Sequence, residues 1–337
     1  MMRMSLYLQG IIDCLYRRKR LRLRVPYPRV ITFETSNICN LQCPFCPTGR
    51  NIRRIPSKIL NFEEFKFLAD KLPKSISTCY LFSWGEEFLN PDIFRIIGYL
   101  KEKNVKVVIS TNFSFDKPKE FFENIVDSCL DEIVISLDGA SQESYSKYRV
   151  KGSFIKVIEN INKLKMLQRE KGKRRPRIIW KFIINRHNEN EIGQAQKMSK
   201  KMGVEFTLAK MNLGDTWPDM QPYIKEPMID RINYWLPQNI KFRNSYYTRS
   251  YRLPLNDFAC EALFNTCVIC CDGKLYPCCF CADEKSSFGD LHKQTFEEIW
   301  NGVIYQSARS LFMKKKYANR KVETVCDMCM SYRKQSK

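Results

Sequence analysis

Three cysteines within eight residues constrain this chain more than any other feature of its sequence. Cys39, Cys43 and Cys46 are separated by three and then two residues, and they follow an apolar, strand-like run at 30–34. Soft thiolate ligands this close together are typical of iron–sulfur clusters or zinc. A [4Fe–4S] cluster held by only three thiolates keeps one iron free of protein ligands, and an open metal position is where chemistry takes place. The spacing therefore indicates a catalytic cluster.

Two other interpretations of this loop stay open at this point: half of a zinc knuckle, and a loop of buried free cysteines. A zinc site requires a fourth Cys or His nearby, and residues 47–78 contain neither. The cluster interpretation is the stronger one.

The length and net charge of the chain limit the classes of protein to which it can belong. The 337 residues suffice for one large α/β domain and a smaller one. The 57 Lys and Arg residues against 36 Asp and Glu give a formal net charge of +21, which favours anionic partners: nucleic acid, phosphorylated substrates or an acidic membrane face. Most of the fifteen cysteines lie in two regions, so metal ligation in a reducing cytosol explains them better than disulfides do.

Residues 1–29 are predicted to form a basic amphipathic N-terminal arm. Apolar residues recur at helical spacing over Met4–Tyr16, and a basic run follows at Arg17–Arg20. The favoured interpretation is a helix and edge strand packed on the core, with a solvated basic face. The alternative is peripheral contact of residues 1–24 with a polyanion or with the inner membrane face. We expect a cytoplasmic protein, because the start lacks the apolar region of a signal peptide and no run reaches the about 18 apolar residues of a membrane span.

Strand-like and helix-like segments alternate from residue 30 to residue 212. The helices are predicted to begin at Asn61, at Asn90-Pro91 and at Ser153. Successive β-α units predict an α/β fold with a parallel sheet, arranged as a partial (β/α)6 TIM-like barrel. The predicted strands are 30–34, 78–83, 105–110, 132–137, 178–184 and 204–209.

The remaining chain is predicted to form two further parts. Residues 213–257 contain several prolines and many aromatic and basic residues, which suggests a bridging segment, a lining for a substrate cleft or a base-stacking surface. Residues 258–337 form a small cysteine-rich domain, with a turn at Asp272-Gly273 and a helix at 295–312.

Polar clusters follow the first four predicted strands. After the cysteine loop come Gly85-Glu86, 110–112 (Ser-Thr-Asn) and 136–139 (Ser-Leu-Asp-Gly), one behind each successive strand. The carboxyl ends of parallel strands form the edge where α/β proteins bind ligands. We therefore expect these clusters to share one site with the cysteines.

The cysteine loop resembles the signature of the radical S-adenosylmethionine (radical SAM) superfamily, C-x3-C-x-(aromatic)-C, with Phe45 at the aromatic position. The resemblance implies that the amino and carboxylate groups of SAM chelate the open iron. It also implies that the reduced cluster cleaves SAM to methionine and a 5′-deoxyadenosyl radical, which abstracts hydrogen from a substrate C–H bond. A one-electron donor such as flavodoxin or ferredoxin is the implied partner.

The same resemblance implies a set of SAM-binding residues. Residues 83–87 (Ser-Trp-Gly-Glu-Glu) resemble the G-G-E-P motif of the family, with Trp84 in place of the first glycine and Glu87 in place of the proline. Residues 136–139 (Ser-Leu-Asp-Gly), followed by Tyr148-Arg149, resemble a second segment of the family. In that segment a serine contacts SAM and an arginine pairs with its carboxylate, a role that suits a guanidinium. A surface salt bridge is the alternative role of that arginine. The predicted SAM-binding residues are Phe45, Gly85, Glu86, Asn112, Ser136, Asp138 and Arg149.

The C-terminal cysteines resemble the SPASM and twitch extensions of this superfamily. The resemblance implies a closed auxiliary [4Fe–4S] cluster on Cys260, Cys278, Cys326 and Cys329, whereas spacing alone also permits a four-cysteine zinc ribbon. Five further cysteines are candidates to replace a ligand or to hold a second cluster: Cys267, Cys270, Cys271, Cys279 and Cys281.

The sequence thus predicts a radical SAM oxidoreductase or bond-forming enzyme. The sequence leaves the catalytic base and the substrate undefined. Family members with such extensions oxidise or couple peptides and small molecules. The basic arm makes a lipid-linked substrate a further candidate. The alternative is a non-catalytic, zinc-bearing, basic nucleic-acid-binding protein.

Overall fold

The computed structural model describes residues 25–214, 227–244, 247, 260, 262–281, 283–312 and 320–329. The predicted arm contact at residues 1–24 lies outside the described residues, as does most of the bridging segment. Within the described residues no helix is both long enough and apolar enough to cross a membrane.

Nine strands of the described chain form a single sheet. They are β1 (Val30–Phe33), β2 (Thr78–Leu81), β3 (Lys106–Thr111), β4 (Glu132–Ser136), β5 (Arg177–Ile184), β6 (Glu205–Lys210), β7 (Thr266–Ile269), β8 (Lys274–Tyr276) and β9 (Gly289–Asp290). Their order is β6-β5-β4-β3-β2-β1-β7-β8-β9. Strands β1 to β7 pair in parallel with their neighbours, whereas β7-β8 and β8-β9 are antiparallel. The sheet is open, as a partial barrel requires.

Helices follow the strands in alternation. The described α-helices are α1 (Phe62–Asp70), α2 (Ile93–Glu102), α3 (Lys119–Asp127), α4 (Gln142–Tyr148), α5 (Phe154–Glu170), α6 (Ile192–Met202), α7 (Met228–Trp235), α8 (Ala262–Asn265), α9 (Phe296–Trp300) and α10 (Val303–Ser310). The side chain of Asn61 accepts a hydrogen bond from the backbone N–H of Glu64, and Ser153 does the same for Lys156, so both predicted helix starts are confirmed.

The two faces of the sheet differ in burial, and strand β5 shows this directly. Ile178, Trp180 and Phe182 are buried in the main hydrophobic core with the helices. The residues between them are half-buried, and Ile183 packs instead against a separate apolar cluster that contains Phe45. Because side chains alternate between faces along a strand, the half-buried set lies on the concave side of the sheet, together with the cysteine loop.

Two predicted helix boundaries are wrong. The helix predicted from Asn90-Pro91 begins later: α2 starts after Asp92, although Asn90 Oδ1 accepts the backbone N–H of Asp92 while its amide nitrogen donates to the carbonyls of Thr35 and Leu60. The predicted helix at 295–312 is two helices, α9 and α10, separated at Asn301-Gly302. Apolar periodicity continues through this break, which is why the pattern resembled one helix.

The cysteine-rich segment is joined to the barrel by backbone hydrogen bonds. The predicted turn is confirmed, with Gly273 in the left-handed region (φ +77) between β7 and β8. Strand β7 pairs in parallel with β1, Val30 opposite Thr266 and Phe33 opposite Ile269. The C-terminal region is therefore held beside the strand that leads into the cysteine loop.

Candidate active site

The three cysteines of the loop lie at the carboxyl edge of the sheet, directly after β1, and two of their sulfurs face N–H donors. Cys39 Sγ accepts hydrogen bonds from the backbone N–H of Leu41 at 3.4 Å and from Asn112 Nδ2 at 3.8 Å. Cys43 Sγ accepts one from Arg149 Nη1 at 3.7 Å. Donors aimed at sulfur stabilise the thiolate form that binds metal.

The chemistry of these thiols fits an iron–sulfur cluster. Burial raises the pKa of Cys39 to about 12 and that of Cys46 to about 11, and it also raises the pKa of Cys43. Without a metal, three adjacent thiolates at such a site would be unfavourable, since burial disfavours charge. Iron bound by Cys39, Cys43 and Cys46 would supply the compensating positive charge and favour the thiolate form of these ligands.

The Glu86 carboxylate organises the loop after β2. It is 1 % exposed and accepts hydrogen bonds from Thr111 Oγ1 and from the backbone N–H of Asn112, both at 2.7 Å. Burial raises its pKa to about 7, an effect that these hydrogen bonds oppose. Asn112 in turn donates to Asn40 at 2.9 Å. The carboxylate thus links three of the predicted edge clusters and is already engaged within the protein.

Gly85 lies against the backbone that leads into the cysteine loop. A Cβ at this position would lie 1.9 Å from the carbonyl oxygen of Ser36, far inside van der Waals contact, and the next residue, Glu86, donates its backbone N–H to Ile38 at 2.8 Å. The absence of a side chain allows the two loops to pack backbone to backbone.

Gly85→Ala is expected to destabilise the holoenzyme by at least about 1–3 kcal/mol, because the backbone must move to admit the methyl group. We also expect a lower iron content. Gly98→Ala is the matched control: the methyl group meets nothing within 4 Å, and a helical Gly→Ala change stabilises by about 0.5–1 kcal/mol. Anaerobic thermal unfolding with iron analysis measures both, and equal behaviour of the two variants would contradict the packing argument.

Arg149 forms a buried ion pair with Asp138. Its Nε lies 2.6 Å from Asp138 Oδ2, and the two side chains are 14 % and 0 % exposed. Asp138 Oδ1 also accepts the backbone N–H of Ile183 on β5. This is not the surface salt bridge of the alternative interpretation. The Arg149 Nη2 atom forms no hydrogen bond with any residue in the described part of the chain, so one donor remains for a ligand.

Phe45 contributes to an aromatic cluster beside the cysteine loop. Its ring lies 5.3 Å from that of Trp235, edge to face, and 6.4 Å from that of Tyr148. Buried Leu213 and Leu236 complete the cluster. It brings α4, α7 and the loop together and keeps water from one side of the site.

A second buried ion pair, between Glu34 and Arg53, was missed by the sequence analysis. Two Arg53 nitrogens bind the two Glu34 oxygens at 2.6 and 2.7 Å, and Glu34 is fully buried. Glu34 Oε1 also accepts the backbone N–H of Trp84, and Arg53 Nη2 lies 3.5 Å from Cys270 Sγ. The sequence signal for this pair was Glu34 itself, a charged residue at the end of an apolar, strand-like run.

The four predicted auxiliary ligands come together at the C-terminal region. The charges of Cys278 and Cys329 act on Cys260, and those of Cys278, Cys260 and Cys329 act on Cys326; burial raises the pKa of Cys260 to about 11. A capping box between Thr324 and Asp327 fixes the short 3₁₀ turn that carries Cys326. In the described residues no three His, Cys, Asp or Glu side chains converge closely enough for a single metal ion, whereas each thiolate of a [4Fe–4S] cluster binds a different iron.

The additional cysteines do not form one group. Cys270 and Cys271 lie beside the Glu34–Arg53 pair, Cys267 is buried on β7 and Cys281 is buried after β8. Cys279 lies next to Cys278 but is exposed. Cys281 donates its backbone N–H to the Cys278 carbonyl at 3.4 Å, so both Cys279 and Cys281 lie close in the chain to the auxiliary set.

Comparison with known proteins establishes the class of protein. The radical SAM superfamily profile matches residues 33–192, and that of the SPASM iron–sulfur cluster-binding domain matches residues 260–330. The chain belongs to the radical SAM superfamily and carries a SPASM domain. It is therefore an enzyme whose cofactors are SAM, a catalytic [4Fe–4S] cluster and an auxiliary [4Fe–4S] cluster. The predicted family, fold class and cofactors are confirmed, and the alternative of a non-catalytic zinc protein is wrong.

Two curated relatives illustrate the range of the family. The AdoMet-dependent heme synthase of Methanosarcina barkeri is 23% identical over 316 residues, covering 84% of this chain and 85% of that protein. The mycofactocin maturase MftC of Mycobacterium ulcerans is 22% identical over 298 residues, covering 84% and 77%.

Solved structures share the fold. Streptococcus suis SuiB bound to the precursor peptide SuiA has a TM-score of 0.60 at 13% identity, covering 91% of this chain and 70% of that one. Native anSMEcpe with bound AdoMet has a TM-score of 0.57 at 13% identity, covering 91% and 95%. At this identity the likeness shows the fold alone.

Proposed function

We propose that this enzyme abstracts a hydrogen atom from an unactivated C–H bond and thereby oxidises or couples a peptide or a small organic substrate. The observation that carries the proposal is the placement of Arg149, which contacts Cys43 through Nη1, is fixed by Asp138 through Nε and leaves Nη2 for a ligand. Bound SAM, with the catalytic cluster, supplies the 5′-deoxyadenosyl radical. The chain's own residues bind, orient and shield the reacting groups.

In this proposal Cys39, Cys43 and Cys46 hold the catalytic cluster, and Arg149 binds the SAM carboxylate. Glu86 and Asp138 act indirectly, since their carboxylates are occupied by protein donors. The remaining residues shape the cofactor pocket or hold the auxiliary cluster: Phe45, Gly85, Asn112 and Ser136 in the barrel, and Cys260, Cys278, Cys326 and Cys329 in the C-terminal region.

The names of the relatives and of the peptide complex support two substrate classes. The SuiB complex with its precursor peptide favours a peptide, and the heme synthase favours a small organic molecule. A screen that follows the transferred hydrogen separates these classes.

The reconstituted, reduced enzyme is expected to form 5′-deoxyadenosine slowly without substrate and faster with the true substrate. Deuterium at the attacked carbon should appear in 5′-deoxyadenosine, as measured by mass spectrometry. The Arg95→Gln variant, changed at an exposed ion pair, serves as the control and should behave as the wild type. An iron-replete, reduced enzyme that never cleaves SAM would refute the proposal.

We also propose that a flavodoxin or ferredoxin delivers the electron to the catalytic cluster.

We further propose that the basic N-terminal arm contacts an anionic membrane face. Full-length protein should co-sediment with anionic liposomes in a salt-sensitive way, and removal of residues 1–24 should abolish this, because Coulomb attraction and apolar insertion both come from the arm. Neutral phosphatidylcholine liposomes are the control. Equal binding by the truncated protein would exclude the arm as the contact.

A further inference from the structure

A lysine lies on the concave side of the sheet, at the centre of strand β5. Lys181 is opposite Ser136 of β4 in the parallel register. It is half-buried, and its two neighbours along β5, Trp180 and Phe182, are buried on the helix-covered face. Because side chains alternate across a strand, the Lys181 side chain extends into the interior of the partial barrel.

Lys181 carries a charge that the described protein leaves unneutralised. Its Nζ atom forms no hydrogen bond and no ion pair with any residue in the described ranges. The groups that influence it are Asp138, Arg149 and Cys279; desolvation lowers the pKa of Lys181, and the Asp138 charge opposes this. Asp138 is already bound by Arg149 at 2.6 Å, so the acid and the guanidinium cancel and the ammonium remains in excess.

Backbone contacts place Lys181 beside the Asp138–Arg149 pair: Leu137 donates its N–H to the Lys181 carbonyl at 3.1 Å, and Ile183 donates its N–H to Asp138 Oδ1 at 2.6 Å. Arg149 Nη1 is in turn 3.7 Å from Cys43 of the catalytic loop. Cys279, which is exposed and directly follows Cys278 of the predicted auxiliary set, also influences the Lys181 charge. Lys181 therefore shares the concave face of the sheet with the Asp138–Arg149 pair, the face on which the proposed function places the substrate.

We propose that Lys181 binds a carboxylate group of the substrate and so determines the substrate class as carboxylate-bearing. One ammonium matches one monoanion, and a charge-assisted hydrogen bond in a partly desolvated site is stronger than a neutral one. A phosphate dianion fits less well, since the remaining donor of Arg149, Nη2, is assigned to the SAM carboxylate. This inference rests on the proposed function, because it assumes that the substrate enters the barrel interior.

Competition for chemical labelling tests the proposal without any SAM cleavage. The full-length, cluster-reconstituted protein with SAM is treated anaerobically with a limiting N-hydroxysuccinimide acetate, and acetylation of each lysine is followed by mass spectrometry. Propionate is the probe, with propionamide plus potassium chloride at equal ionic strength as its neutral counterpart. A single charge-assisted contact gives a dissociation constant on the order of 10 mM, so propionate well above this concentration should slow acetylation of Lys181 severalfold.

Lys165 is the matched control lysine. It is half-buried on the outer helix α5, and desolvation lowers its pKa also, but it does not face the barrel interior; its labelling rate should not respond to propionate. Equal slowing of both lysines, slowing by propionamide, or no slowing of Lys181 would overturn the carboxylate site. Because labelling requires no radical chemistry, failure of this inference is distinct from failure of the enzyme to cleave SAM.

Discussion

Replacing Cys39, Cys43 and Cys46 together with alanine is expected to abolish 5′-deoxyadenosine formation and to lower the iron content from about eight to about four per chain, since each [4Fe–4S] cluster carries four irons. The auxiliary cluster should persist, because its predicted ligands lie in a separate region joined to the barrel through the β1–β7 pairing. Iron and acid-labile sulfide analysis after anaerobic reconstitution measures the first effect, and chromatography of the reaction mixture measures the second.

Cys129→Ala is the control for this experiment, because Cys129 is an exposed cysteine distant from both groups in sequence. It should retain about eight irons and full SAM cleavage. A triple variant with undiminished iron would show that the loop cysteines do not hold a cluster.

Arg149→Gln is expected to raise the dissociation constant for SAM by more than about tenfold, which corresponds to the loss of a charged contact of about 2–5 kcal/mol. The same change leaves the buried Asp138 carboxylate without its partner and should lower the free energy of unfolding by about 3–5 kcal/mol. All three cysteine ligands are retained, although Cys43 loses the N–H donor of Arg149, so the folded protein should still bind the catalytic cluster. Equilibrium binding of SAM and denaturant unfolding, both under anaerobic conditions, measure the two effects.

Adding Asp138→Asn to this variant separates binding from stability. The double variant no longer buries an unpaired charge, so part of the lost stability should return. SAM binding should remain weak, because the ligand donor is still absent. Recovery of SAM binding in the double variant would mean that Arg149 is only a structural partner of Asp138.

The local features of this protein were determined by its sequence. All six barrel strands fall within two residues of their predicted ends, and the helix starts at Asn61 and Ser153 follow from side chains that cap their own backbone. The cysteine loop is equally local, since three ligands within eight residues must share one turn of chain. Such features can be predicted from the sequence because covalent spacing and residue periodicity alone produce them.

Features that join distant segments were decided only by the tertiary structure. The parallel pairing of β7 with β1 connects residues more than two hundred positions apart, and nothing in either strand specifies that neighbour. The Glu34–Arg53 pair and its contact with Cys270 likewise depend on how the C-terminal region meets the barrel. A buried charge requires a partner because it is removed from water, and only the folded chain determines which charges are buried and which partner lies within reach.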